Sequence, residues 1–316
     1  MAARWQSLFL WTLATALAVA LHLLGRAGVL SGYTVQVLSL ICINIILTAS
    51  LNLVNGYLGE FAIGHAGFMA VGAYVAGVMT VKLDLPFWLA FVAAGLAAAL
   101  AAWLVGIPAF TTFGDYLAII TLGFNMIIVN VITNIDAVGG PRGMAGLPKA
   151  TNLLWVYGTV AATLIVLGNL VRSNYGRLWT AIRQNEIAAT LMGARVKQLK
   201  LTAFVVAGLF AGLAGALWGH LIQYINPSSF TYIKSTEILV MLYLGGMGSL
   251  SGSVVGATLM TVLLESLRGL GVWRLVISPL ILIVIMLRMP RGILGFRELS
   301  LGGLFRPRGV SRRAAA

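Results

Sequence analysis

Long apolar stretches alternate with short polar or glycine-rich segments along most of the chain. Ten such stretches can be delimited: Leu8 to Leu24, Tyr33 to Val54, Ile63 to Val81, Phe87 to Ile107, Asp115 to Thr133, Asn152 to Val171, Leu201 to Ile222, Ser235 to Met247, Gly252 to Leu267 and Val272 to Leu287. A helix rises about 1.5 Å per residue, so about twenty residues cross the roughly 30 Å hydrocarbon core of a bilayer. The pattern predicts an all-α fold, a polytopic transmembrane helical bundle of about ten spans, within a range of about eight to ten.

Glycines interrupt the pattern at the eighth and ninth stretches, which are also short. The interrupting residues are Gly245, Gly246, Gly248 and Gly252. These two stretches are therefore predicted either to be short spans or to form broken or re-entrant segments buried in protein.

Small residues also recur at four-residue spacing, as in Gly208 to Gly212 and Gly215 to Gly219. This spacing is typical of close helix packing in membranes. The short segment VGAY at Val71 to Tyr74 is similar to VGAT at Val255 to Thr258. Many transporters contain an inverted repeat, and this similarity makes such a repeat a further hypothesis.

Composition agrees with a membrane protein. Of 316 residues, 60% are hydrophobic and 9% are charged, and the mean hydropathy is +0.97. An ordinary soluble domain carries about 25% charged residues, so this chain has too little polar surface to face water. We expect one transmembrane domain over residues 1–316, with membrane lipid as its surroundings.

The net charge of +13 is concentrated in two places. The central loop, residues 172–200, holds Arg172, Arg177, Arg183, Arg195, Lys197 and Lys200, and the tail, residues 288–316, holds Arg288, Arg291, Arg297, Arg306, Arg308, Arg312 and Arg313. Cytoplasmic loops collect Lys and Arg, and even numbers of predicted spans precede the loop and separate it from the tail. Both termini and the central loop are therefore predicted to be cytoplasmic. Because the basic residues border apolar spans without interleaved aromatic residues, nucleic acid is not an expected partner.

The sequence offers little for catalysis. It has no phosphate-binding G-x-x-x-x-G-K-[ST] loop, no H-E-x-x-H and no G-x-S-x-G, and its single cysteine, Cys42, lies in an apolar stretch. We therefore expect no ATPase site, catalytic residue, cofactor or metal in this chain. The stretch Leu8 to Leu24 exceeds a signal-peptide core in length and lacks a clear cleavage site, so it is interpreted as a retained first span.

Amides are the main polar groups inside the predicted spans. Asn44, Thr48, Asn52 and Asn55 fall on one stripe of the second span, and Asn125 follows Thr121 by one helical turn in the fifth. Two interpretations stay open for these residues, hydrogen bonds between helices or the lining of a solute path.

Acidic residues are few, and they lie at the edges of the spans. Glu60, Glu237 and Glu265 fall near predicted span ends rather than mid-span. This placement disfavours a buried proton relay, and with it an ion-coupled transporter.

The central loop itself contains a short amphipathic pattern. In SNYGRLWTAIRQNEIAATLMGARVKQLKLTAF, the segment Leu178 to Met192 has apolar residues at near-helical spacing, and Gly193 follows as a stop. Such a cytoplasmic helix either lies on the membrane surface or fills a groove of a partner protein.

The segment EIAATLMG resembles the EAA loop of ABC-importer permeases, through Glu186, Ala188, Ala189 and Gly193, with Ile187 inserted. Further blocks extend the resemblance: Gly64 to Ala76, Gly114 to Phe124, Gly139 to Pro148, Ala203 to Leu217 and Leu244 to Ala257. Together these blocks, which cover most of the chain from about Asn52 to Glu265, resemble the branched-chain amino acid permease family, and within it the LivM-type subunit.

This resemblance implies an importer subunit of the bacterial cytoplasmic (inner) membrane. Its expected partners are a homologous LivH-type permease subunit, two cytoplasmic ATP-binding subunits that bind the ATP, and an extracytoplasmic solute-binding protein. The loop residues Arg177, Arg183, Glu186, Ala188, Ala189 and Gly193 would then dock on an ATP-binding subunit. Urea or short-chain amide permeases of the same family are the alternative, and an ion-coupled secondary transporter is the alternative from another class.

Overall fold

The computed structural model describes residues 31–111, 116–273 and scattered positions up to 295. The predicted span Leu8 to Leu24, most of the span Val272 to Leu287 and nearly all of the basic tail lie outside the described residues. The α-helices of the described part are α1 (Gly32–Asn52), α2 (His65–Val81), α3 (Phe87–Ala109), α4 (Tyr116–Thr133), α5 (Leu153–Arg172), α6 (Asn174–Gln184), α7 (Glu186–Leu191), α8 (Val196–Ile222), α9 (Tyr232–Gly245) and α10 (Leu250–Ser266).

Short elements connect these helices. They are a π-helical turn (Leu53–Leu58), four 3-10 turns (Asp136–Val138, Gly140–Arg142, Pro227–Phe230 and Leu267–Trp273) and the strands β1 (Met144–Ala145) and β2 (Tyr224–Ile225). The strands pair antiparallel, with Met144 opposite Ile225. The predicted all-α class is therefore confirmed.

Six helices in the described part are long and apolar enough to cross a membrane. They are α1 with its π-helical turn, α3, α4, α5, α8 and α10 with the residues that follow it. Helix α2 is apolar but has 17 residues, and α9 has 14. The total of eight to ten spans therefore stays a prediction.

Small residues pack α2 and α3 against α8. A Cβ atom added at Gly212 of α8 would lie 2.4 Å from Ala98 Cβ of α3, and one at Gly72 of α2 would lie 2.2 Å from the Gly212 carbonyl oxygen. Real Cβ atoms do not approach other atoms this closely, so both positions require glycine. The predicted close packing of the Gly208 to Gly219 region is confirmed, and it forms the centre of the bundle.

The order of contacts fixes the helix directions. Helix α2 runs parallel to α8, because Phe68 contacts Phe204 edge to face near their starts and Thr80 hydrogen-bonds His220 near their ends. Helix α1 runs opposite to α8, since its first residues line one cavity with the last residues of α8. Helix α10 runs opposite to α1, as the pair Asn44–Thr261 and the pair Asn52–Ser253 require.

Helices α2 and α10 therefore point the same way. They carry the two motifs VGAY and VGAT, and an inverted repeat would place equivalent segments in opposite directions. The motif pair thus lends no support to the predicted inverted repeat.

Two interruptions of the helical bundle lie close together. The first, which we call the break, comprises residues 59–64 between the π-helical turn and α2. It begins at Gly59, which has a left-handed φ of 84°. The second is the turn of residues 246–249 between α9 and α10, where Gly246 has φ 114°. The eighth and ninth predicted stretches are thus two helices joined by a tight glycine turn.

Candidate functional site

The central loop folds into two short helices rather than the single one predicted over Leu178 to Met192. Helix α6 ends at Gln184, and α7 begins at Glu186. Between them, the Asn185 side chain accepts a hydrogen bond of 3.0 Å from the Ala188 backbone N–H. Asparagine is a preferred N-cap because its side chain satisfies a free N–H of the first turn, and this local preference outweighs the continuous apolar pattern.

Helix α6 is anchored to the bundle by its apolar face. Trp179 is fully buried, and its indole Nε1–H donates a hydrogen bond of 2.9 Å to the Leu199 carbonyl oxygen at the start of α8. Ile182 is buried beside it. Helix α6 of the central loop is therefore packed against the bundle.

Helix α7 and the turn after it present an apolar surface to the outside. Ile187, Leu191 and Met192 are 74%, 83% and 89% exposed. A groove of about 760 Å³ runs beside them, lined by Tyr175, Leu178, Ala188, Met192, Gly193 and Leu199 among others. We call these exposed residues and the groove the docking surface. Contiguous exposed apolar surface of this kind is typical of regions that contact another protein or a membrane.

The predicted docking residues divide into two groups. Ala188, Ala189 and Gly193 line the groove, and of these Ala189 is buried. Arg177 donates a hydrogen bond of 2.5 Å to Asn174 Oδ1 within its own helix. Arg183 instead turns inward: its Nη1 donates a hydrogen bond of 2.5 Å to the Gly56 carbonyl oxygen of the π-helical turn.

Glu186 also turns inward, toward Lys200, which was predicted only as one of the basic residues of the loop. Its Oε2 lies 2.8 Å from Lys200 Nζ, and the same Nζ lies 2.5 Å from Glu60 Oε1 of the break. Glu60, which falls near the end of a predicted span, is therefore paired with the same lysine of the central loop.

The amide stripe of α1 faces α9, α10 and the turn between them. Asn44 Nδ2 donates to Thr261 Oγ1 at 2.9 Å, and Thr48 Oγ1 donates to the Met241 sulfur at 3.8 Å. In this conformation both side chains are buried and bond between helices.

Asn52 is the best-satisfied member of this stripe. Its Nδ2 donates to the Ser249 carbonyl oxygen and to Ser253 Oγ, each at 2.8 Å, and its Oδ1 accepts from the Gly248 N–H at 2.8 Å. Both the nitrogen and the oxygen of the Asn52 side-chain amide are thus hydrogen-bonded, and Asn52 ties α1 to the glycine turn.

Replacing Asn52 with alanine is expected to destabilise the protein by about 2 to 4 kcal/mol, because the substitution removes three hydrogen bonds that tie α1 to the glycine turn and to α10. The measurement is the thermal unfolding of the purified protein in detergent. Asn130, on the exposed face of α4, is the matched control, and Asn130→Ala should change stability by less than about 0.5 kcal/mol. Equal losses from the two substitutions would contradict the assigned role of Asn52.

Asn55 and Thr121 of α4 bond to the break, whereas Asn125 of α4 bonds to α9. Asn55 bonds both backbone groups of Ala62, at 3.2 Å and 3.3 Å, and Thr121 Oγ1 accepts from the Ile63 N–H at 3.1 Å. Asn125 is fully buried, with Nδ2 3.4 Å from Ser235 Oγ. Its Oδ1 has no hydrogen-bond partner among the residues that the structure describes.

The site therefore joins two regions that the sequence presented as separate. On one side the break contacts Asn55 of the π-helical turn and Thr121 of α4, and on the other it contacts Arg183 and Lys200 near the docking surface. Within the described ranges, no group of three or more His, Cys, Asp or Glu side chains could hold a metal ion. The contacts at the break connect the central loop with the polar residues of the helices.

Comparison with known proteins gives consistent matches. A family profile described as "Branched-chain amino acid transport system / permease component" matches residues 33–289. The permease protein LivM of the high-affinity branched-chain amino acid transport system of Escherichia coli (strain K12) is 33% identical, over 83% of this chain and 70% of LivM. LivH of the same strain is 25% identical, over 78% of this chain and 89% of LivH. No solved structure matches the chain.

Proposed function

The chain belongs to the family of branched-chain amino acid transport permeases, and from this premise we propose that it is one membrane-spanning subunit of an ATP-driven importer for these amino acids. It is a multi-pass membrane protein. In the proposed assembly it pairs with a LivH-type permease subunit. Two cytoplasmic ATP-binding subunits supply the energy, and an extracytoplasmic binding protein delivers the solute. This chain then has no ATPase site of its own.

The docking surface carries this proposal. An exposed apolar ridge is formed by Ile187, Leu191 and Met192, on α7 and the turn after it. The preceding helix α6 is anchored to α8 by the buried Trp179. Burying such a ridge in a groove of another protein is favourable by about 25 cal/mol for each Å² of apolar surface removed from water. A rigid mounting also passes the partner's movement to the bundle rather than absorbing it. We place the ATP-binding subunit on this surface.

The proposed solute path runs beside α1 and the break. Its candidate lining residues are Asn44, Thr48, Asn52, Asn55 and Asn125. In the conformation described here these side chains bond to neighbouring helices, so opening the path exchanges some of these bonds for solute or water. ATP binding must favour one of the two conformations for such coupling to work. The orphaned Oδ1 of Asn125 offers an acceptor for a solute N–H without the loss of an existing bond.

The proposed setting is the bacterial inner membrane, with both termini and the central loop in the cytoplasm. The basic residues of the central loop are the support for this orientation, since cytoplasmic loops are enriched in Lys and Arg. The docking surface lies on the same loop. The ATP-binding subunits would therefore meet it where ATP is available.

Reconstitution tests the function directly. The chain is co-purified with its LivH-type partner, the ATP-binding subunits and the binding protein, and placed in proteoliposomes. We expect ATP-dependent uptake of radiolabelled leucine. Uptake of urea or acetamide in place of leucine would establish the alternative permease. Uptake that needs no ATP-binding subunits and that an ionophore abolishes would establish an ion-coupled transporter.

A further inference from the structure

Lys200 holds a charge in a largely buried position. It lies near the start of α8, and its side chain is 10% exposed. A buried ammonium group is costly unless charged partners surround it, and Lys200 has two carboxylates within hydrogen-bonding distance. The pairing therefore compensates the burial of this lysine.

The two carboxylates come from parts of the chain with different proposed roles. Glu186 is the first residue of α7 and belongs to the loop that carries the docking surface, whereas Glu60 belongs to the break. The Glu186 side chain is 54% exposed and that of Glu60 is 20% exposed. Lys200 thus has an outer partner that a docked protein can reach and an inner partner that it cannot.

A second contact joins the same two regions. Arg183 donates to the Gly56 carbonyl oxygen, and a Cβ atom at Gly59 would lie 2.5 Å from Arg183 Cγ. Gly56 lies in the π-helical turn, and Gly59 is the first residue of the break. The central loop therefore contacts the break and the turn before it through two side chains, Arg183 and Lys200.

The far side of the break is held by the candidate path residue Asn55 and by Thr121 of α4. Asn55 bonds to Ala62, and Thr121 bonds to Ile63. A displacement of the break changes these bonds, because hydrogen bonds weaken steeply as the distance or the angle departs from the optimum. Loop, break and amides thus form one continuous set of contacts.

We propose that Lys200 is a positioning residue that transmits movement of the central loop to the break, through its simultaneous ion pairs with Glu186 and Glu60. This inference rests on the proposed function. When the ATP-binding subunit displaces α7, Glu186 moves relative to Lys200. The Lys200 ammonium group then either displaces Glu60 or pairs more closely with it, and the break moves together with Glu60.

The test measures leucine imported per ATP hydrolysed by the complete reconstituted importer. Lys200→Gln and Glu60→Gln each remove one half of the inner pair, and both should lower this ratio about tenfold while ATP hydrolysis continues. Lys200→Arg keeps the charge and both pairs, and should stay within about twofold of the wild type. Lys197, exposed on the same first turn of α8, gives the matched control Lys197→Gln, with an unchanged ratio.

A second measurement follows the break without reference to the solute. In a Cys42→Ser background, Phe61, which is 38% exposed, is replaced by cysteine. Its reaction with a thiol reagent should differ between the ATP-bound and the nucleotide-free complex. Adding Lys200→Gln should abolish that difference.

Two results would overturn the proposal. One is a wild-type ratio with Lys200→Gln. The other is a parallel fall of uptake and ATP hydrolysis in every Lys200 and Glu60 variant, which would mean that the cluster only holds the complex together. The proposed function fails separately, if the unmodified complex does not import leucine with ATP.

Discussion

Leu191→Glu is expected to abolish ATP-driven uptake while the permease remains folded. Leu191 is 83% exposed on α7, so a glutamate there costs the isolated subunit little. In the docked complex the same carboxylate would be buried in an apolar interface. A residue at the centre of an interface can contribute about 2 kcal/mol or more to the binding free energy. Losing that contribution weakens the affinity for the partner roughly 30-fold.

The measurement combines uptake with co-purification of the ATP-binding subunit. Thr180→Glu adds the same charge on the exposed face of α6, away from the residues that line the groove, and should retain both binding and uptake. Normal recovery of the Leu191→Glu permease from the membrane separates a docking defect from misfolding. Full uptake by that variant would remove the docking surface from the coupling mechanism.

Much of the fold follows from the apolar pattern alone. Helices α1, α3, α4, α5 and α8 begin and end within a few residues of the predicted spans, because length and hydrophobicity are local properties of the sequence. Glycine spacing also located the closest helix packing correctly. The pattern could not give the direction of α2 relative to α10, which depends on contacts between distant parts of the chain.

The candidate site was only partly predictable. Helical periodicity places Asn44, Thr48 and Asn52 on one stripe, but the glycine turn that satisfies Asn52 lies almost 200 residues away. Lys200 shows the same limit. In the sequence it is one basic residue among several in the loop, and its role emerges only when folding brings Glu60 and Glu186 to the same ammonium group.

The departure from the EAA pattern also gains a physical account. The inserted Ile187 is 74% exposed, while Glu186 before it turns to Lys200 and Ala189 after it is buried. The extra residue thus lies on the outer side of α7, where it adds apolar surface. The inward contacts of the motif are kept.

Trp179→Ala is expected to cause the largest loss of stability among the loop substitutions. The side chain is fully buried, and truncating a buried tryptophan costs about 3 to 5 kcal/mol because it leaves a cavity. The Leu199 carbonyl oxygen also loses its indole donor. We expect α6 to detach from α8, so uptake should fail even where the protein remains in the membrane.

A graded series separates packing from hydrogen bonding at this anchor. Trp179→Phe keeps most of the aromatic volume and loses the bond to Leu199, so it should cost about 1 to 3 kcal/mol. Tyr175, which is 48% exposed and packs on Trp179 at 6.2 Å between ring centroids, provides the control, and Tyr175→Ala should cost less than Trp179→Ala. Thermal unfolding in detergent ranks the variants, and uptake per ATP reports coupling. If Trp179→Ala unfolds at the same temperature as the wild type, Trp179 does not fix the loop to α8. The proposed transmission of movement from the docking surface to the bundle would then lack its structural basis.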